Sequence, residues 1–281
     1  MFDRADGVVA VAFCNRRTKG VQPVPKLAAN LTMLFTEYPF LERFDRAAAA
    51  GFGGVEFLFP YTESPADIQA ALTRNSLDLV LYNLPAGDWA AGDRGIAAQP
   101  DRREEFGTGL HQAITYAREL HPPRINCLAG KADDDARSDA VLIANVTFAA
   151  EALAAVNVQL VVEPVNDKDV PRFAIPTTRA ALELIAEVES DNVGLQYDIY
   201  HSLRMGEDPF AIIPEHIAQI AHIQIADVPG RHQPGTGEID FARLFDVIDQ
   251  TGYDGWVSLE YNPEGPTKEG FGLLRELNLL G

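Results

Sequence analysis

The sequence is short of cysteine, of positive charge and of long apolar runs. Its 281 residues hold two cysteines, Cys14 and Cys127, too few for a disulfide framework. Cys127 sits in an apolar run, where a buried free thiol is the plain reading, and this usage suits a reducing, cytoplasmic location. Lysine and arginine number 23 against 41 acidic residues, a formal net charge of −18. That balance excludes sequence-independent nucleic-acid binding, which rests on basic contacts to phosphate, and opposes docking on an anionic membrane surface. No apolar run approaches the roughly 20 residues of a membrane span. Gly7–Cys14 is apolar enough for the centre of a secretory signal, but Arg16, Arg17 and Lys19 follow it instead of preceding it, so no signal is expected. A small anionic substrate stays admissible if a local cation offsets the global field. Nothing in the sequence opposes a homo-oligomer.

What the chain does contain is one pattern repeated. Residues 1–25 stand apart from it, end in Gln-Pro-Val-Pro and read as an N-terminal extension. Residues 26–281 read as one domain of alternating strands and helices. Strands are expected at Lys26–Leu34, from Val55, at Leu77–Leu84 and Arg124–Ala129, in runs ending at Glu163, Asp198 and Gln224, and at Trp256–Tyr261. Helices are expected at Pro39–Ala50, Ser64–Asn75, Asp101–Leu120, Asp135–Val156, after Thr177 or Thr178, at Pro209–Gln219 and at Phe241–Thr251. Such alternation implies a parallel sheet, and eight units fit a (β/α)8 TIM barrel better than an open doubly wound sheet. A dinucleotide-type G-x-G-x-x-G after the first strand is missing. The stretch Pro85–Pro100, punctuated by glycine and proline, is long enough for a functional lid or a flexible insertion.

The most telling stretch is Val158–Asn166 (VQLVVEPVN), an apolar strand that stops on a carboxylate, Glu163, with a proline directly after it. Burying an unpaired carboxylate costs several kcal/mol or neutralises it, so such a group needs a cation, a metal or a proton to handle. The event recurs at Asp198, Gln224 and Glu260, at intervals close to the roughly 30 or more residues of one strand–helix–strand unit. Any one of these residues alone reads as a solvated rim position or a helix cap. Four in successive units fall on the C-terminal face of a barrel, where metal and substrate sites assemble. Three carboxylates and one amide oxygen make a hard-oxygen set suited to Mg²⁺ or Mn²⁺.

From about Leu27 to Gly272 the chain resembles the hydroxypyruvate isomerase family of the xylose-isomerase-like barrel superfamily. The resemblance is carried by FLFPY (Phe57–Tyr61), NLPAGDWAAGDRG (Asn83–Gly95), INCLAGK (Ile125–Lys131), VEPVN (Val162–Asn166), QYDIYH (Gln196–His201), HIQIADVPGRHQPGTGEID (His222–Asp240) and LEYNP (Leu259–Pro263). It implies that Glu163 and Glu260 are the catalytic carboxylates and that Glu163, Asp198, Gln224 and Glu260 hold the divalent metal. It also implies interconversion of hydroxypyruvate and tartronate semialdehyde, a 2-oxo acid chemistry run by proton transfer through an enediolate, with a hydride shift as the alternative path.

Epimerase relatives tend to carry histidine where this chain has Gln224, which weighs against a ketose 3-epimerase. A 2-oxo-tetronate isomerase would use the same four ligands. An endonuclease would want a histidine-rich zinc site and a basic groove, and an inactive scaffold would normally lack an acidic ligand. Asn262 stands where relatives often have lysine, removing one cationic substrate contact. Among the remaining residues, His201 is a candidate hydrogen-bonder to a substrate oxygen, Arg231 a bidentate clamp for its carboxylate and Lys131 a second candidate for that anion. Glu56 is either a support of the site or a buried structural ion pair. Tyr61 and Trp89 are candidate pocket walls or ordinary packing.

Overall fold

A computed structural model describes residues 25–132, 137–188 and 190–281. The extension assigned to residues 1–25, with Cys14, lies outside the described residues except for Pro25. Eight strands of four to six residues follow in order: β1 (Lys26–Asn30), β2 (Gly54–Phe57), β3 (Asp78–Asn83), β4 (Arg124–Cys127), β5 (Gln159–Val162), β6 (Val193–Asp198), β7 (Ile220–Ile225) and β8 (Trp256–Leu259). Each pairs in parallel with the next, and β8 returns to β1 with Lys26 opposite Trp256 and Ala28 opposite Ser258. The sheet therefore closes, and the fold is the expected single-domain (β/α)8 barrel, not an open sheet.

The helices are α1 (Phe40–Ala49), α2 (Pro65–Asn75), α3 (Arg103–Leu120), α4 (Arg137–Ala154), α5 (Thr178–Glu187), α6 (Ile199–Arg204), α7 (Pro209–His216), α8 (Phe241–Gln250) and α9 (Gly272–Glu276). Side-chain oxygens set several of their starts. Ser64 accepts from the Asp67 amide, Thr177 from Ala180 and Asp240 from Arg243, each satisfying an N–H that the first helical turn leaves unpaired. On α8, Phe241, Leu244, Phe245 and Ile248 are buried, the spacing of one helical face. None of the helices is long and apolar enough to cross a membrane among the described residues. Cys127 is free and buried, and burial pushes its thiol up to about 12, as befits an inert packing residue.

Several boundaries differ from the sequence expectation. β1 stops at Asn30, because the Asn30 carbonyl accepts from the Met33 and Leu34 amides and turns the chain out of the sheet. α7 ends at His216 with Pro214 inside it, short of Gln219. The helix α6 was not anticipated. It starts at the strand end itself, because the Asp198 carboxylate accepts from the Tyr200 amide and caps it.

Alternation along the strands separates two layers inside the barrel. Ala28 and Val161, two residues before Asn30 and Glu163, join Val80 and Leu81 in a buried apolar cluster with Ala221 and Trp256 packed on it. This floor closes one end of the lumen, and the polar residues gather above it. The β3–α3 loop is fixed to the rim where Gly95 bridges Ala129. Gly95 has φ +106°, and a Cβ there would strike the Leu128 carbonyl. Gly95→Ala should therefore cost more than about 1 kcal/mol of stability by denaturant unfolding.

Candidate active site

Each strand carries a polar side chain at or next to its C-terminal end: Asn30, Glu56, Asn83, Asn126, Glu163, Asp198, Gln224 and Glu260. All are at most 5% exposed. The closed barrel brings these eight onto one rim, so the four chosen from sequence are half of a ring. Asn83, next to the end of the expected third strand, carried nearly the same signal, whereas Asn30 and Asn126 lay inside the expected runs Lys26–Leu34 and Arg124–Ala129.

The ring is knitted by side-chain amides. Asn126 Nδ2 donates to Glu163 Oε2 at 2.8 Å, and Gln196 Nε2 to the same oxygen at 2.9 Å. Gln196 Nε2 also reaches Gln224 Oε1 at 2.7 Å, while Gln224 Nε2 donates to Glu56 Oε1 at 2.7 Å. Glu56 further accepts from Asn30 Nδ2 at 2.9 Å and from His222 Nε2 at 2.7 Å. Burial pushes the Glu56 carboxyl up, but the His222 contact and the amide donors outweigh it and hold it below the usual range. Burial lowers His222 while Glu56 opposes the shift; its Nε2 faces Glu56, and its Nδ1 is left without a partner. Glu56 is thus a structural anchor that fixes which end of the Gln224 amide faces the ring. Glu56→Ala would strand His222, Gln224 and Asn30 together and should cost about 3–5 kcal/mol, readable by chemical denaturation.

Glu163, Asp198 and Glu260 are a different population. Burial first, and the neighbouring Asp198 charge second, push Glu163 up to about 8. Burial also raises Asp198 and raises Glu260 well above its ordinary value, with Arg231 opposing both. Arg231 Nη2 lies 3.2 Å from Asp198 Oδ2 and 3.3 Å from Glu260 Oε1, with its guanidinium 5.0 Å from the Tyr200 ring. One guanidinium serves three buried carboxyls, so the set must take up protons or a further cation, and Glu260 Oε2 has no partner.

His201 projects from α6 with Nε2 3.5 Å from Asp198 Oδ2 and 3.9 Å from Glu163 Oε1. Burial and the Arg231 charge keep it neutral. Asn166 Nδ2, 2.6 Å from His201 Nδ1, donates to that nitrogen, which assigns the ring proton to Nε2 and aims a donor into the site. Single ligand atoms of Glu163, Asp198 and His201 all fall within 4.8 Å of one another, a cluster that could hold a metal ion. Lys131 is placed elsewhere: its Nζ donates to the Gly92 carbonyl at 3.1 Å and ties the β3–α3 loop down.

Glu163, Glu260, His201 and Arg231 line one cavity of about 290 Å³, below the roughly 300–1,000 Å³ of drug-sized pockets and fitted to a ligand of a few carbons. Trp89 is at its edge, packed on Phe59 with ring centres 5.1 Å apart. Tyr61 is absent from the lining and bonds the Asn83 carbonyl at 2.6 Å, a packing role.

A model of the xylose isomerase-like TIM barrel family matches residues 44–277. The chain is 47% identical over 248 residues to the hydroxypyruvate isomerase of Escherichia coli (strain K12), covering 87% of this chain and 96% of that protein. It is 42% identical over 255 residues to the 2-oxo-tetronate isomerase of Cupriavidus necator, covering 90% and 98%. A crystal structure titled AP endonuclease, family 2, from Brucella melitensis superposes with TM-score 0.87 at 40% identity, over 90% of this chain and 98% of that one.

Proposed function

We propose that this chain, which belongs to the xylose isomerase-like TIM barrel family, is a hydroxypyruvate isomerase. The observation that carries the reading is the pairing of two buried, charge-strained carboxylates, Glu163 and Glu260, on one small cavity with a guanidinium beside them. The identity to the Escherichia coli isomerase over most of both chains supports it.

Hydroxypyruvate becomes tartronate semialdehyde when a proton leaves C3 and one returns at C2, while the hydroxyl proton moves from the C3 oxygen to the C2 oxygen. Such a step needs a base and an acid and a place for the negative charge of the enediolate between them. Glu163 and Glu260 are the base and acid. Arg231, already spanning Asp198 and Glu260, meets charge that develops on the reacting oxygens. The Nε2–H of His201 is a second donor to those oxygens. Asn126 and Gln196 hold the Glu163 carboxylate in place through its Oε2 and leave Oε1 toward His201.

The residues fit a hard divalent ion. Three raised carboxylates share one guanidinium, Glu260 Oε2 is unpartnered, and Gln224 Oε1 keeps a second lone pair beyond the one Gln196 uses. Glu163, Asp198, Gln224 and Glu260 would hold it, His201 being committed as a donor through Nε2. Bound there, Mg²⁺ or Mn²⁺ would supply Lewis-acid stabilisation of the substrate oxygens.

A second reading, a 2-oxo-tetronate isomerase, has the support of the 42% identity to the Cupriavidus necator protein. Steady-state kcat/KM of the metal-loaded protein on both acids decides between them. A higher value on hydroxypyruvate is expected, a higher one on 2-oxo-tetronate selects the second reading, and turnover of neither rejects both.

A further inference from the structure

We propose that Asn83 and Arg94 form the subsite that holds the carboxylate of the substrate, a deepening that rests on the 2-oxo acid reading above. Two independent observations meet in the same cavity. Asn83, the last residue of β3, lines it, is 1% exposed, and neither its Nδ2 nor its Oδ1 has a hydrogen-bond partner. A buried amide with both atoms unsatisfied is costly in a folded chain and calls for an external polar group. Arg94 lines the same cavity from the β3–α3 loop. Its Nη1 donates to the carbonyls of Asp93 and Trp89, at 2.6 and 3.1 Å, and its guanidinium stacks 4.0 Å from the Trp89 ring.

No carboxylate among the described residues pairs with Arg94, and its Nε and Nη2 edge makes no hydrogen bond to them. That edge is the fork that takes a carboxylate bidentately. Arg231 is less free for this role, since Asp198 and Glu260 already claim it, and Lys131 is spent on Gly92. The other polar lining groups are also committed: Asp169 accepts from Arg204 and Tyr200, and Thr32 from the Leu58 amide.

The fork is presented by a braced loop. Asp93 Oδ2 accepts from the Asp88 amide and from Arg102 Nη1, both at 2.7 Å, and Gly95 is bridged to Ala129. A cation held in place before the ligand arrives loses less entropy on binding. With C2 and C3 at the Glu163–Glu260 end, C1 points to the loop side, so the carboxylate and the reacting carbons are read by separate groups.

The test uses the metal-loaded full chain, Arg94→Ala, Arg94→Lys and Asn83→Ala. It reads KM and kcat on hydroxypyruvate and the competitive inhibition constants of pyruvate, which keeps the carboxylate, and of hydroxyacetone, in which a methyl replaces it. Arg94→Ala is expected to raise KM and the pyruvate constant at least tenfold, with kcat changed less and the hydroxyacetone constant changed under twofold. Arg94→Lys should recover part of the loss, because the charge returns without the fork. Asn83→Ala should weaken pyruvate several-fold without lowering the melting temperature, since the amide it removes bonds nothing in the protein. Equal weakening of pyruvate and hydroxyacetone, or unchanged constants in an active wild type, would overturn the subsite. A wild type that binds pyruvate through Arg94 yet turns over no 2-oxo acid would instead refute the proposed reaction and leave the anion site standing.

Discussion

Glu163→Gln and Glu260→Gln are each expected to lower kcat at least about a hundredfold, the usual scale for losing a positioned acid or base, with the barrel intact. Glutamine keeps the volume and an oxygen for the hydrogen bonds that Asn126 and Gln196 give Glu163. Glu163→Gln also removes one of the charges that raise Glu260, so its melting temperature should hold or rise while turnover collapses. That opposite movement separates a chemical role from a structural one. Because both residues are also proposed ligands, kcat is to be read at saturating metal. Near-wild-type turnover in either variant would remove it from the reaction.

Chelation should abolish turnover and leave a folded protein. The closure of β1 on β8 and the apolar floor beneath the site depend on none of the proposed ligands. Restoring Mg²⁺ or Mn²⁺ should return activity better than Ca²⁺, whose larger coordination sphere suits four protein oxygens less well. The ion would also relieve repulsion among Glu163, Asp198 and Glu260. Loaded protein should therefore melt higher than stripped protein, by the equivalent of about 2.7 kcal/mol when the free ion is a hundred times its Kd. Full activity in stripped protein, or a melting temperature unmoved by metal, would contradict the ligand set.

Much of this was legible in the sequence because a barrel turns a local pattern into a shared place. An apolar run ending on Glu163, Asp198, Gln224 or Glu260 is visible residue by residue, and closure of the sheet brings the four strand ends together. The helix starts were legible for a similar reason: Ser64, Thr177 and Asp240 each cap with their own side chains. What the sequence could not show is partnership. His201 read only as a residue just past a strand end, and the Asp198 cap creates α6 and turns its ring back to the carboxylates. Arg231 was the first candidate for an anion and Lys131 the second, and only the fold commits one to Asp198 and Glu260 and the other to Gly92. Asn83 and Arg94 sit inside a motif that was noticed, yet nothing linear reveals that an amide is left without partners. Glu56 was open between two readings, and its ties to His222 and Gln224 join them: it is a buried ion-pair-like contact that also orients a proposed ligand.

The most direct measurement is proton NMR of the Mg²⁺-loaded protein with hydroxypyruvate in D₂O. Isomerisation through an enediolate predicts that tartronate semialdehyde accumulates with solvent deuterium at C2, and that Glu163→Gln and Glu260→Gln stop both product formation and label uptake. Product formed without deuterium at C2 would contradict the proton-transfer path, and no conversion of hydroxypyruvate or of 2-oxo-tetronate would contradict the assignment of the reaction itself.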